Sequence, residues 1–100
     1  MATISNETLI THFLSALAAE RGVSENTLFG YKNDLMALHD SMAVSFVVMT
    51  ADDIRQSVQK FHIEGLAART VSRRLSAVRQ FAGWMVSDRI RQDNPSLFLD

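Results

Sequence analysis

In four stretches of this chain apolar residues recur at intervals of three and four, and no proline interrupts any of them, the only one being Pro95. That spacing lines one stripe of a helix with apolar side chains. The first stretch carries Leu9, Ile10, Phe13, Leu14 and Leu17, opens at Ser5 or Asn6 as N-cap and stops near Gly22. The second opens at Ser24 and runs through Leu28, Tyr31, Leu35, Leu38 and Met42. "TADD" is a capping box, with Thr50 and, three residues on, Asp53; it opens the third through Ile54, Val58, Phe61 and Ile63 to Gly65. The fourth, "ARTVSRRLSAVRQFAGWM" from 68 to 85, runs to about Arg89. Before the third helix, "AVSFVVM" is an apolar run whose period decides nothing; a lone strand has no partner here, so it reads as a buried connector. "QDNPSLFLD" ends the chain as a helix stop and an extended, linker-like tail. The expected fold is all-α, four main helices joined by short loops.

One hundred residues supply one hydrophobic core, not two. With no cysteine, disulfides and thiolate metal sites are excluded, and a reducing compartment is compatible. There is neither a run long enough for a membrane span nor the pattern of a signal peptide at the start, so the default reading is cytoplasmic, with no membrane partner. His12, His39 and His62 lie far apart and lack metal-ligand spacing, and no glycine-rich phosphate loop or nucleophile elbow occurs. Asp52 and Asp53 sit in a helix's first turn, where the macrodipole already accounts for them. The chain by itself reads as a non-enzyme without metal or cofactor.

Charge is divided unevenly. Residues 1–65 hold four basic residues against eight acids, a balance of −4; residues 66–92 hold six arginines against Asp88, a balance of +5. On a helical wheel of the fourth stretch Val71, Leu75, Val78, Ala82 and Met85 fall in one sector, flanked by Phe81 and Val86. Opposite lie Arg69, Arg73, Ser76 and Gln80, with Thr70 and Ala77 on one flank, while Arg74 and Arg79 stand at the stripe's edges. Arginines one turn apart among small residues suit phosphates or a guanine edge in a groove. A solvated face explains them equally, although no Glu is present to pair with them at i,i+4. The outward side of the second stretch holds Asn26, Phe29, Gly30 and Asn33, with Thr27 and Lys32 nearby. Gly30 costs about 1 kcal/mol inside a helix, for which close approach of another backbone and mere tolerance are both reasons. Ser24 and Thr27 are caps, or caps that also hold a phosphate.

"GVSENTLFGYKNDL" (22–35) fits G-x-S-x-x-T-x-x-x-Y-x-x-D-L, and some forty residues on comes "GLAARTVSRRLSAVRQFAGWM", then "DNP". In order and spacing this series resembles the N-terminal core-binding domain of tyrosine recombinases of the phage-integrase and Xer type, from about Leu9 to Pro95. The resemblance implies a SAM-like bundle of four to five helices, half of a C-shaped clamp around a recombination site. It implies that residues 1–93 form this domain and that 94–100 begin a linker to a catalytic domain outside the chain. Its implied partners are a double-stranded DNA recombination site and other recombinase subunits in a tetrameric synapse. Carried over by position, Thr27, Gly30 and Asn33 would face DNA, as would Arg69, Thr70, Arg73 and Ala77. Arg74, Ser76 and Arg79 match the family's basic "RRLSAxR" run, and Ser24 joins them as a phosphate candidate.

Departures from the family pattern carry expectations too. Ala67 stands where the family often has a capping serine, which leaves the start of the fourth helix less certain. Ala82 and Gly83 replace a bulky aromatic and a polar residue. Trp84 falls off the core stripe, so it is expected under the tail (Leu97, Phe98, Leu99) or a neighbouring subunit. Tyr31 matches a structural tyrosine of the family and not its nucleophile, and no room precedes Thr3 for an arm-binding domain. The other reading is a protein-interaction bundle of SAM or death type, with the arginines on acidic surfaces and Phe29 and Trp84 as anchors. A helix-turn-helix regulator is weaker, since no compact pair of short helices is evident.

Overall fold

Four helices follow the four apolar patterns: α1 (Asn6–Arg21), α2 (Glu25–Ser41), α3 (Ala51–Ile63) and α4 (Ala68–Ser87). The computed structural model describes residues 4–99, and among them no strand occurs. Three helix starts are capped as their sequences predict. Ser5 Oγ accepts from the Thr8 amide at 3.1 Å and Ser24 Oγ from that of Thr27 at 3.2 Å. Thr50 and Asp53 close a reciprocal box, at 3.2 and 2.8 Å. The choice between Ser5 and Asn6 falls on Ser5, and Asn6 does something else.

The start of α4 is different. Ala67 occupies the N-cap position with φ −60° and ψ 146°, and no side chain caps the helix.

 Ser5 at the head of α1 has φ −67° and ψ 153°, so the two N-caps share an extended backbone to within a few degrees and differ chiefly in the side chain. Replacing Ala67 with Ser therefore supplies the missing acceptor without moving the chain. The variant is expected to gain about 1 kcal/mol, read as a thermal midpoint higher by roughly 4–8 °C; an unchanged midpoint would count against the cap argument.

Helix ends divide into one expected and one unexpected kind. After α3 the Leu66 amide reaches back to the Phe61 carbonyl at 3.2 Å and that of Gly65 to His62 at 3.0 Å, with Gly65 at φ 84°. This six-to-one and five-to-two pair is a Schellman turn, which favours glycine at its left-handed position. After α4 the same turn recurs: Ile90 bonds Met85 at 2.8 Å and Arg89 bonds Val86 at 3.1 Å. Here the left-handed residue is Arg89, at φ 59°. The helix consequently ends at Ser87, short of the predicted Arg89.

The connector "AVSFVVM" is buried at two points, Phe46 and Met49, both at 0% exposure. It satisfies its polar backbone through side chains from both ends of the sequence. Asn6 Oδ1 accepts from the Phe46 amide at 2.8 Å, and Asn6 Nδ2 donates to the Val44 carbonyl at 3.1 Å. Arg91 Nη1 donates to the carbonyls of Phe46 and Met49, each at 2.9 Å. A buried irregular segment needs such partners, because unpaired backbone groups away from water are costly.

The core gathers Leu9, Ile10, Phe13 and Leu17 of α1, Leu35 and Leu38 of α2, Phe46 and Met49, Ile54 of α3, and Ala77, Val78, Phe81 and Met85 of α4. Phe81 is its hub, with ring centroids 5.4 Å from Phe13, 5.2 Å from Phe46 and 5.8 Å from Trp84. Three expectations need correction. Ile63 is 84% exposed, because α3 turns Ile54, Ser57 and Phe61 inward and Ile63 falls on the other side. Leu75 is only half-buried, and Ala77 is buried in its place, because α2 packs across that flank of α4. Trp84 is half-buried and packs on Phe13 and Phe81, while Leu97 and Phe98 of the tail are exposed.

The tail folds back. Asn94 Oδ1 accepts from the amide and hydroxyl of Ser96 at 2.9 and 2.7 Å, Pro95 and Ser96 are buried, and Arg79 donates to the Leu99 carbonyl at 3.2 Å. Among the described residues no helix is long and apolar enough to cross a membrane.

Candidate nucleic-acid interface

α2 and α4 pack side by side and leave between them a cleft of about 280 Å³, lined by Thr27, Gly30, Tyr31, Asp34, Arg73, Ser76 and Ala77. Five residues singled out from the sequence thus meet in one place. Thr27 and Ser76 are exposed at its rim, and Gly30 of α2 and Arg73 of α4 both line it. Ala77, expected on the outward face, is 2% exposed and forms the floor. Its side chain is buried under α2, so a direct contact through its methyl is withdrawn.

The other six lie outside the cleft lining. Ser24 Oγ caps α2 and lies 3.0 Å from the Thr27 hydroxyl, so the two engage one another. Asn33 and Arg69 are exposed, and Thr70 is half-buried. Arg79 is exposed and holds the tail through Leu99. Arg74 is mostly covered, with 20% of its side chain exposed and its guanidinium carbon 4.6 Å from the centre of the Phe61 ring. That is a cation–π contact, and it fixes the stem against α3.

The residue that organises the cleft was not among those singled out. Asp34 is 3% exposed, a buried carboxylate on α2. Arg73 Nη2 donates to its Oδ1 at 2.9 Å, and Arg73 Nε donates to Oδ2 at 3.1 Å and to Oδ1 at 3.3 Å. Arg74 Nε, which has no hydrogen-bond partner among the described residues, lies 3.9 Å from the same Oδ1. The hydrogen bond and charge of Asp34 hold the Arg73 guanidinium more firmly in its protonated form. A signal for this existed: Asp34 stands one turn before Leu38, roughly 40° from it on a wheel, and so borders the core stripe facing an arginine-rich helix.

The charge asymmetry between the two parts of the chain also overstated the free positive surface. Arg91 has 7% of its side chain exposed and is committed to the connector and to Asp93. Gly30 has nothing within 4 Å of where a Cβ would stand, so no contact inside the molecule demands glycine there.

Residues 10–89 match the family described as phage integrase, N-terminal SAM-like domain. The chain belongs to that family, and its four-helix bundle is the family's all-α, SAM-like fold. Among individual relatives it is similar to the tyrosine recombinase XerD of Brucella suis biovar 1, 37% identical over 94 residues, which are 91% of this chain and 30% of the relative. It is also similar to XerD of Rickettsia bellii, 33% identical over 94 residues (91% and 31%). A third is the tyrosine recombinase XerC of Chromobacterium violaceum, 39% identical over 88 residues (87% and 29%). The chain spans about 30% of the length of these relatives. No solved structure gives a significant match.

Proposed function

We propose that this domain binds duplex DNA as the N-terminal clamp of a site-specific tyrosine recombinase, with α2 and α4 turned toward the groove. The observation that carries the reading is the α2–α4 cleft, where Thr27, Gly30, Arg73 and Ser76 converge. Membership of the phage-integrase domain family supports it. The arginine-bearing face of α4 supplies donors suited to phosphates and to base edges. Strand cleavage and rejoining through a phosphotyrosine belong, on this reading, to a catalytic domain beyond the linker that begins near residue 94. Tyr31 is packed edge-on to Phe13 at 5.8 Å and serves the fold. The partners are the recombination site and further recombinase subunits on it, in the cytoplasm. One observation favours the protein-interaction reading instead: Phe29 on α2 is 64% exposed.

A salt titration against duplex DNA separates the two. DNA binding weakens linearly in log affinity against log salt, with a slope of about −0.9 per phosphate neutralised. No binding at low salt by the folded domain would sink the proposal. Two glycines sharpen the test. Gly30 and Gly83 both sit inside helices with open space at the Cβ position, but Gly30 lines the α2–α4 cleft and Gly83 the groove between α1 and α4. Alanine at either position is expected to add up to about 1 kcal/mol of stability. Only Gly30→Ala is expected to weaken DNA binding, and equal affinities for both variants would argue against close approach at Gly30.

A further inference from the structure

The Arg73–Asp34 pair is asymmetric in a way that bears on recognition, and the inference drawn from it rests on the DNA-binding reading. Asp34 has 4% of its side chain exposed and Arg73 has 62%. The carboxylate takes the Nε–Nη2 edge of the guanidinium, through bonds of 2.9 and 3.1 Å. A guanidinium has five N–H donors in a flat fork. With that edge occupied, the edge shared by Nη1 and Nη2 remains, and Arg73 Nη1 donates to nothing among the described residues. Those two N–H groups are parallel and suit a pair of acceptors on one partner.

Two further features favour an outward role over a closed ion pair. Arg74 also faces Asp34, with its Nε 3.9 Å from Oδ1 and its stem fixed on Phe61. One carboxylate is therefore set against two guanidinium groups, and the cluster keeps a net positive charge. Gly30 lines the same cleft, with open space where a side chain would begin. An arginine on a helix surface ordinarily loses much rotamer freedom on binding, whereas one already held by a buried carboxylate loses less.

We propose that Asp34 is a positioning residue for Arg73: it fixes the guanidinium so that the free Nη1–Nη2 edge offers a rigid two-donor fork to the paired O6 and N7 acceptors of a guanine in duplex DNA. Asp34 itself touches no DNA. Its effect is to convert a general attraction for polyanions into a geometric requirement.

The test begins with a pool of duplexes randomised over their central base pairs, from which the domain selects its preferred sequence. Affinities for the selected duplex and for a scrambled one are then measured at fixed salt. Asp34→Asn is expected to lower affinity for the selected duplex by roughly tenfold, the scale of one bidentate contact. Affinity for the scrambled duplex should hold or rise, since a negative charge is removed. Arg73→Lys, which keeps the charge and loses the fork, should do the same, and the double variant should discriminate no worse than Arg73→Lys alone. Asp34→Glu, which keeps the charge but displaces the fork, gives a second route should the asparagine variant fail to fold.

Parallel loss on both duplexes, intact discrimination in a folded Asp34 variant, or additive losses in the double variant would each overturn the inference while leaving DNA binding itself in place. Failure of the domain to bind any duplex at low salt overturns the DNA reading and this inference with it. The source of the acceptors follows from the selected duplex. Replacing single guanines with 7-deazaguanine should cost the wild type affinity at one position but leave Arg73→Lys unaffected; a loss seen only with single methylphosphonates would place Arg73 on phosphate and overturn the inference.

Discussion

Replacing Phe81 with alanine is expected to destabilise the domain by about 3–5 kcal/mol, the range for loss of a fully buried aromatic. Phe81 is 0% exposed and ties three parts of the chain together: its ring meets Phe13 of α1, Phe46 of the connector and Trp84 of its own helix. Removing it leaves a cavity bordered by rings that cannot easily close over it, since Phe13 and Phe46 are held on other elements and Trp84 is packed on Phe13. Domains of this size have total stabilities of roughly 5–15 kcal/mol, so the variant sits near the edge of folding. Urea denaturation followed by far-ultraviolet circular dichroism reads the loss directly. Phe81→Leu, which retains much of the volume, should lose far less. A loss below about 1 kcal/mol for the alanine variant would mean that the aromatic cluster is not the hub described here.

The second large effect concerns a polar residue. Arg91→Met keeps an apolar stem but removes the donors to Phe46 and Met49, and is expected to cost about 2–4 kcal/mol, since each bond is charge-assisted. Asp93 holds the other edge of Arg91, at 2.9 Å to Nη2, but is itself exposed. Its bond to Arg91 keeps the Asp93 carboxyl below its ordinary value of 3.8. The sign follows from that lowering: the stabilisation from this pair is present above 3.8 and is lost as the pH falls through the folded value below it. Acidification removes only the outer bond and leaves both carbonyl contacts intact, so Asp93→Asn should be far milder than Arg91→Met. Equal losses for the two variants would show that the carbonyl contacts contribute little.

These two positions also mark how far the sequence could be read. Phe81 was already beside the core stripe of the fourth helix, because helical periodicity is a local property. Ser5, Ser24 and the Thr50–Asp53 box were legible for the same reason, each being a bond between residues three apart. Arg91 was counted as surface charge, and only the folded connector, 45 residues away, reveals its carbonyl partners. Asp34 was quoted within a family pattern yet given no task, since its partner lies 39 residues on. Ala77 was turned outward by a wheel that cannot know on which flank α2 will pack. The resemblance to integrase domains identified the family, and the cleft residues Thr27, Gly30, Arg73 and Ser76 were named from it and from the wheel together. What was missing was pairing across helices, which no single helix encodes.

The connector between α2 and α3 is tied by Asn6 near one end of the chain and by Arg91 near the other. A ribosome releases the first of these about eighty-five residues before the second. α3 is complete at Ile63, so during synthesis, at roughly 5–20 residues per second, α1, α2 and α3 are all available for about one to six seconds while two carbonyls of the connector still lack their donor. Arg91, just past the end of α4, is a late lock, and trimming the chain directly after α4 would leave a nascent-like form permanently without it.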